Sequence, residues 1–168
     1  MAYRNKTYVC FDADNDIDYY KEMLKWKADD NIDFNFYDAH DLNNLRDDSQ
    51  EETIKRKLRE RFSDTKLLIV LVGDTTKNLY KYVRWEIEVA LKLEIPIIAV
   101  NIIDSQVRIY DNHPPILRDE LVICTQFNIK LLQYSIDNWI EANDKNKKDG
   151  VKNNRQWKDF IYERLGLK

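Results

Sequence analysis

The sequence predicts an α/β fold, a doubly wound parallel sheet of five strands with helices on both faces. Short β-prone apolar segments alternate five times with longer segments of helical spacing, which is typical of consecutive β–α–β units. Two of the apolar segments are continuous runs, as expected for strands that are buried on both faces. Right-handed crossovers between such strands place helices on either side of the sheet, and we expect the strand order 2-1-3-4-5.

The first half of the chain contains two predicted strands and two predicted helices. Residues 7–11 are apolar and β-prone, and residues 33–37 alternate at period two in the manner of an edge strand. Residues 17–28 repeat apolar side chains at helical spacing. A capping box at residues 49–52 opens a second helix, which extends through Phe62.

The second half of the chain is predicted to add three strands and three helices. Residues 66–72 and 95–100 are the central strands, and Pro96 is tolerable only because it stands at the start of its strand. The other segments are a helix over 79–94, a short strand over 121–124, a helix over 129–140 and a last amphipathic helix on Trp157, Phe160, Ile161 and Leu165.

Length and composition indicate one globular unit. We expect a domain over residues 1–142, followed over 143–168 by a basic linker and a C-terminal helix packed on the same domain. The net charge of −3 gives no electrostatic reason for a nucleic-acid partner. Neither a signal-like apolar start nor a bilayer-length run occurs, which predicts a soluble cytoplasmic protein without membrane association. Cys10 and Cys124 lie in predicted strands and are interpreted as core thiols.

The predicted topology places a ligand site at the edge where the strands end. In open α/β sheets, ligands bind outside the carboxyl ends of the strands, where the strand order reverses. For the order 2-1-3-4-5 that point lies between the first and third strands. The loops expected to line it are residues 11–14 and 73–76, and residues 37–40 and the first turn of the helix starting near Leu79 flank it.

Glu86 is the most informative single residue of the predicted third helix. At about 100° per residue, it lies beside the core stripe, with Tyr82 and Leu93 among its neighbours, whereas Glu88 lies on the charged side. A carboxylate in apolar surroundings should have a raised pKa. Alternatively, Glu86 reaches water or pairs with Arg84 or another basic residue nearby, and helix geometry alone slightly favours this second interpretation.

Acidic and histidine residues do not predict a metal site. Asp12, Asp14, Asp16 and Asp18 alternate as in a calcium loop, but Ile17 and Met23 stand where that loop needs Gly and Glu. A Mg²⁺-binding receiver domain would need a Lys after the fifth strand, which ends in Cys-Thr-Gln instead. No glycine-rich phosphate loop occurs, and His40 and His113 lack zinc-ligand neighbours. We therefore expect no metal and no cofactor.

Six sequence blocks resemble the TIR-like proteins of the bacterial Thoeris antiphage system, over about residues 6–102. The most specific block is an aromatic-Val-Arg-aromatic-Glu-Ile motif at residues 82–87. The blocks are residues 8–12 (YVCFD), 36–40 (FYDAH), 52–60 (ETIKRKLRE), 65–73 (TKLLIVLVG), 82–91 (YVRWEIEVAL) and 96–100 (PIIAV).

The resemblance implies a flavodoxin-like, TIR-like fold and an activity on NAD. Many TIR domains cleave the bond between nicotinamide and ribose, and Thoeris-type members make a linear or cyclic ADP-ribose product that activates a downstream effector. The family's catalytic glutamate, four residues after an aromatic one, corresponds to Glu86 after Tyr82. The implied substrate-binding residues are Phe11, Asp12, Asp14, Tyr37, His40, Gly73, Thr75, Tyr82 and Trp85.

Two departures from the family pattern keep a second function open. Asp12 stands where the family often has Ser, and Tyr82 stands where Trp is common. Asp12 would place negative charge beside the diphosphate of NAD. Since some TIR domains act only as scaffolds, a non-catalytic signalling adaptor is the alternative, and a receiver-like phosphate sensor is a remote third.

The third helix also suggests self-association. Tyr82, Trp85 and Val89 lie along one side of it, away from the centre of the core stripe. Three adjacent apolar residues, if exposed, form a patch suited to a partner surface. In the alternative interpretation, the last helix or the connection over residues 101–120 covers this side within one chain.

Overall fold

The computed structural model describes residues 6–32, 34, 37–38, 51–76, 82–102 and 113–167. Within these ranges the strands are β1 Lys6–Cys10, β2 Tyr37–Asp38, β3 Leu67–Val72, β4 Ile97–Asn101, β5 Ile123–Gln126 and β6 Arg155–Gln156. The α-helices are α1 Ile17–Ala28, α2 Glu51–Phe62, α3 Tyr82–Lys92, α4 Ile129–Lys148 and α5 Asp159–Arg164, and a 3₁₀ turn spans Pro115–Leu117.

The described strands form one parallel sheet in the order β2-β1-β3-β4-β5-β6. β3 lies between β1 and β4, with Thr7 opposite Leu67 and Leu68 opposite Ile97. Every residue of β3 is buried, which explains its continuous apolar sequence. Because β1 and β3 are parallel neighbours, the loops that follow them leave the same edge of the sheet side by side.

Helices cover both faces of this sheet. Successive strand residues point to opposite faces, so Tyr8 and Val9 enter different cores. The core that contains Tyr8 is closed by α2 and α3, through Ile54, Leu58, Phe62, Val83, Trp85, Ile87, Val89 and Ala90. The core that contains Val9 is closed by α1 and α4, through Tyr20, Met23, Leu132, Ile136 and Trp139. The five predicted parallel strands and their covering helices are thus present.

The C-terminal segment differs from its prediction. α4 continues to Lys148, so the linker predicted from residue 143 is wrong at its start. The last turns of α4 are polar on most sides, and only Asn143 is buried there, so no apolar period marks the helix. The sheet has a sixth strand, β6, which pairs with Ile123 and Cys124 of β5. Two exposed polar residues carry no strand pattern, which is why sequence analysis missed it.

Smaller differences concern element boundaries. β4 begins at Ile97 rather than at residue 95. Pro96 precedes the strand, and its carbonyl accepts a hydrogen bond from the Leu68 amide. β5 begins two residues later than predicted. Both cysteines are buried free thiols, which confirms their interpretation as core residues. Among the described residues, no helix combines the length and the hydropathy needed to cross a bilayer. Residues 33, 35–36, 49–50 and 79–81 of predicted elements lie outside the described residues.

Candidate functional site

Asp12 joins the two loops that follow β1 and β3. Its carboxylate accepts hydrogen bonds from the Asp14 amide at 3.0 Å, from Asn15 Nδ2 at 2.7 Å and from Thr75 Oγ1 at 2.6 Å. Burial opposes ionisation of this group, but the hydrogen bonds outweigh burial and lower the pKa of Asp12 below its ordinary value. Asp12 is therefore ionised, and its carboxylate oxygens already accept hydrogen bonds from donors of the protein.

A second bridge between these loops explains why residue 73 is a glycine. The Gly73 amide donates to Thr76 Oγ1 at 2.8 Å, and Thr76 Oγ1 lies 3.5 Å from Asp16 Oδ2. A Cβ on Gly73 would lie only 2.5 Å from Asp16 Oδ2. Burial, and then the nearby Asp12 charge, raise the pKa of Asp16. Gly73, a predicted substrate-binding residue, thus has a packing role of its own.

Glu86 lies inside the protein, against the carboxyl end of β1. The side chain projects from α3, and only 6% of the residue is exposed. The Tyr8 hydroxyl donates to Glu86 Oε1 at 3.2 Å, and the Cys10 thiol is a second donor to this carboxylate. Cys10 is the last residue of β1, so Glu86 borders the start of the loop at residues 11–14. Among the described residues its hydrogen bonds are with β1 rather than with the loop after β3.

These surroundings place the titration of Glu86 near neutral pH. Burial raises the pKa of Glu86 to about 7, although hydrogen bonds from Cys10 and Tyr8 and the positive charge of Arg61 act in the opposite direction. Burial, and then the Glu86 charge, raise the pKa values of Tyr8 and Cys10, so both groups stay protonated donors. A substantial fraction of Glu86 is ionised at neutral pH, in a medium where charge interacts strongly.

Two parts of the alternative interpretation of Glu86 are wrong and one is supported, since a nearby basic residue, Arg61, acts on this carboxylate through its charge. Glu86 does not reach water, and Arg84 contacts Glu88 instead, at 3.2 Å. Glu88 also pairs with Lys55 of α2, in agreement with its predicted place on the charged side of α3. Sequence analysis missed Tyr8 and Cys10, although the period of two along β1 places both on the sheet face that α3 covers.

Two predicted aromatic contacts of the substrate are packed into the protein. Phe11 is 6% exposed and stacks on Tyr20, with ring centroids 4.9 Å apart. Trp85 is 9% exposed and belongs to the core under α2 and α3. Asp14 is exposed, and its amide is bound to Asp12. His40 and the side chains of Tyr37 and Tyr82 lie outside the described residues.

Two of the three residues in the patch predicted on α3 are buried. Val89 is 2% exposed and, like Trp85, is buried within one chain. The 3₁₀ turn at Pro115–Leu117 packs against α3, and Ile116 contacts the same core. This turn, which belongs to the connection over residues 101–120, therefore covers this side of α3, as in the alternative interpretation. The side chain of Tyr82, the third residue of the patch, lies outside the described residues, so self-association through α3 stays a prediction.

His113 lies in a buried pair rather than in a solvated loop. It is fully buried, with Nε2 3.7 Å from Cys124 Sγ. Burial lowers the pKa of His113 to about 4 and raises the pKa of Cys124 to about 12. Both groups are neutral, unlike the thiolate–imidazolium pair of a cysteine nucleophile. Asn154 hydrogen-bonds to His113 and to the carbonyls of Leu117 and Glu120, so this cluster fastens the C-terminal segment.

The described residues contain no group of three His, Cys, Asp or Glu side chains arranged to hold a metal ion. In the loop after β1, both Asp12 oxygens are occupied by protein donors. The described residues therefore do not assign a metal-dependent chemistry to this site.

The parallel sheet, in which β1 and β3 are neighbours, and the helices on both of its faces define an α/β domain, and a buried glutamate on α3 lies beside β1. Comparison with known families agrees: residues 8–106 match the family described as Thoeris protein ThsB, TIR-like domain. The match spans more than half of the 168 residues. The chain belongs to this family, which confirms the resemblance found in the sequence.

Proposed function

We propose that this protein is a signalling enzyme of antiphage defence that cleaves NAD at the bond between nicotinamide and ribose. Membership in the Thoeris family implies antiphage signalling. The observation that supports catalysis is Glu86, a buried carboxylate with a pKa of about 7 beside the carboxyl end of β1. Perturbed carboxylates at such positions are frequent in active sites.

In the proposed reaction Glu86 stabilises the charge that develops on the ribose. The glycosidic C–N bond breaks, and its electron pair neutralises the pyridinium ring of the departing nicotinamide. Positive charge then spreads over the ribose ring, where an ionised Glu86 in a poorly solvated site would interact strongly with it. Water adds to the ribose carbon and loses a proton, which yields ADP-ribose. Alternatively, a nucleophilic atom of the ADP-ribosyl group itself adds to that carbon and loses a proton, which closes a ring.

In this proposal Asp12 connects the two loops and does not contact the substrate. A free carboxylate beside the diphosphate would repel it, but three donors surround this one, including Thr75 of the opposite loop. Asp12 and Thr75 hold the two loops at the carboxyl ends of β1 and β3 in a fixed relation. Both are therefore positioning residues.

The test is incubation of the purified protein with NAD, followed by mass analysis of nicotinamide and of the sugar nucleotide. Glu86→Gln keeps the size of the side chain but loses its charge, so we expect nicotinamide release to fall at least a hundredfold, on the order of the loss of several kcal/mol of electrostatic stabilisation. Glu88→Gln, on the opposite side of α3, is the matched control and should retain activity.

A signalling adaptor without catalysis is the second candidate. The observation that favours it is the packing of Phe11 and Trp85, two candidate stacking residues, into the protein core. Absence of turnover in the wild-type protein, even in concentrated samples, would support the adaptor. Equal turnover in wild type and Glu86→Gln would reject the role proposed for Glu86.

A further inference from the structure

The two helices on one face of the sheet bring opposite charges into the same core. α2 packs against α3, and both close the core that contains Tyr8. Arg61 follows Ile54 by seven residues and Leu58 by three, so helical spacing places it on the stripe of α2 that these two buried residues define. Glu86 is buried on α3. Each helix thus directs one charged side chain towards the other elements of this core.

The guanidinium of Arg61 differs from the other cations of α2. Its Nη1 atom is buried, although the residue as a whole is half-buried. Arg56 and Arg59 are exposed, and Lys55 is bound to Glu88 at the contact between α2 and α3. Burying part of a cation costs free energy, and a nearby anion offsets that cost.

The last turn of α2 lies against Tyr8, the residue that donates to Glu86. The Phe62 ring meets the Tyr8 ring with centroids 4.8 Å apart. The Arg61 carbonyl accepts a hydrogen bond from Thr65 Oγ1 at 3.3 Å, which holds this turn in place. Burial raises the pKa values of Tyr8 and Glu86, and the positive charge of Arg61 acts against this rise at both residues. The guanidinium is therefore within electrostatic reach of both.

The other elements packed around Glu86 contribute uncharged groups. Tyr8 and Cys10 of β1 stay protonated, and the 3₁₀ turn at Pro115–Leu117 consists of apolar residues. On α3 itself, the charged residues Arg84 and Glu88 contact each other. Among the described residues, the cation that acts on the Glu86 carboxylate is therefore the guanidinium of α2.

Arg61 approaches Glu86 from the side away from the proposed site. α2 ends at Phe62, shortly before β3 begins at Leu67, so Arg61 lies towards the amino ends of the strands, whereas the proposed site lies at their carboxyl ends. We infer that Arg61 is a positioning residue of this site, whose guanidinium is the counter-charge that holds Glu86 as an anion inside the protein. The inference rests on the proposed function and assigns Arg61 no contact with the substrate.

The charge of Arg61 has two opposite effects on the proposed reaction. At pH values below the titration midpoint of Glu86, it increases the fraction of the carboxylate that is ionised. Once Glu86 is fully ionised, the same cation repels the positive charge that develops on the ribose. Loss of Arg61 should therefore slow NAD cleavage at low pH and leave it equal or faster at high pH. A residue that only supports the fold would slow cleavage at every pH.

The first test is an NMR titration of the Glu86 carboxyl carbon in the isotope-labelled full chain, which needs no turnover. Glu86→Gln identifies the signal by its loss. In Arg61→Gln the midpoint should rise from its value near 7 by about half a unit to one unit. Arg61→Lys keeps a cation and should restore most of this difference. Arg59→Gln, an exposed arginine of the same helix, is the matched control and should leave the midpoint unchanged.

The second test is the pH profile of kcat/KM for NAD. Well below the midpoint, Arg61→Gln should be about threefold to tenfold slower than wild type, which is the same shift expressed as a rate. Well above the midpoint, it should be at least as fast as wild type. A loss of equal size at every pH would overturn the inference, and so would a Glu86 midpoint that Arg61→Gln leaves unchanged.

Urea unfolding gives a third readout, through a double-mutant cycle of Arg61→Gln with Glu86→Gln. The coupling should be present above the Glu86 midpoint and vanish well below it, because a protonated Glu86 carries no charge for Arg61 to attract. A coupling independent of pH would overturn the inference. Arg61→Met, whose side chain suits an apolar core, replaces Arg61→Gln in all three tests if the latter does not fold.

The inference and the proposed function fail separately. Absence of NAD cleavage together with a Glu86 midpoint that depends on Arg61 would reject the enzyme but retain the pair of charges. NAD cleavage together with an unchanged midpoint would retain the enzyme and reject the role of Arg61.

Discussion

Glu86 combines burial with hydrogen bonds from two uncharged donors. Glutamate is almost never fully buried unless it is paired, and here Tyr8 and Cys10 contact the carboxylate, while Arg61 acts on it electrostatically. The hydrogen bonds from Tyr8 and Cys10, which are uncharged, do not remove the free-energy cost of burying the Glu86 charge. The residue therefore titrates near neutrality, which has consequences for both stability and activity.

The first consequence is a pH-dependent cost in stability. The pKa of Glu86 rises from 4.5 to about 7 on folding, so the folded state holds the proton more tightly than the unfolded state. Between these pH values, increasing pH ionises the unfolded form first and destabilises the fold by up to about 3 kcal/mol. Glu86→Gln has no such penalty, so its stability advantage over wild type should grow from pH 4.5 to 7 and then stay constant.

Urea unfolding of the two proteins across this pH range measures that difference. Comparing the variants cancels other groups such as Asp12, whose lowered pKa adds stability that is lost in acid. A difference that is independent of pH would show that Glu86 titrates in the same way in the folded and unfolded states.

The second consequence concerns catalysis. If Glu86 must be ionised, kcat/KM for NAD should rise with pH, with a midpoint near the pKa of about 7. Tyr8→Phe removes a hydrogen bond that lowers the pKa of Glu86, so its midpoint should lie at higher pH. Stopped-time assays of nicotinamide release at matched protein stability test this, and an unchanged midpoint in Tyr8→Phe would contradict the role given to Tyr8.

At the scale of elements, the loops after β1 and β3 behave as one unit. Asp12 binds Thr75, and Asp16 approaches Thr76 and Gly73, so two separate bridges connect them. A side chain at position 73 would require Asp16 to move, because the Asp16 carboxylate occupies the space where a Cβ would lie. The position of each loop therefore depends on the other.

Gly73→Ala tests this coupling. The new methyl group would lie 2.5 Å from Asp16 Oδ2, so Asp16 must move away from Thr76, and we expect a loss of about 1–3 kcal/mol, as in other overpacked sites. Asp16→Ala removes the obstacle, so Gly73→Ala should cost much less in that background. Thermal unfolding of the four proteins measures the coupling, and an equal cost in both backgrounds would place the effect elsewhere.

At the scale of the whole molecule, the two faces of the sheet differ in their chemistry. Between α2, α3 and the sheet lies the buried carboxylate of Glu86, within the part of the chain that the family match covers. On the other face, α4, β6 and α5 surround an aromatic cavity with cations at its mouth. The two faces of one sheet thus present a buried carboxylate and a partly open aromatic cavity.

The alternation of strands and helices and the position of Glu86 on α3 could be predicted because they depend on local patterns. The apolar runs of β3 and β4 permit little other than buried strands, and helix spacing places Glu86 beside the core stripe of α3. Family motifs at residues 82–87 agreed with that placement, and the family match covers the part of the chain that contains them. By contrast, β6 has only two polar residues and depends on the open edge of β5.

The sequence by itself determined the alternation of strands and helices, the buried thiols and the position of Glu86 beside the core stripe of α3, because each follows from periodicity or from a short motif. Tertiary structure alone decided which groups surround Glu86 and whether Trp85 and Val89 face solvent. These properties depend on contacts between residues far apart in the chain, such as Tyr8 with Glu86 and the turn at Pro115–Leu117 with α3. The periodicity of one segment does not indicate which distant segment of the chain packs against it.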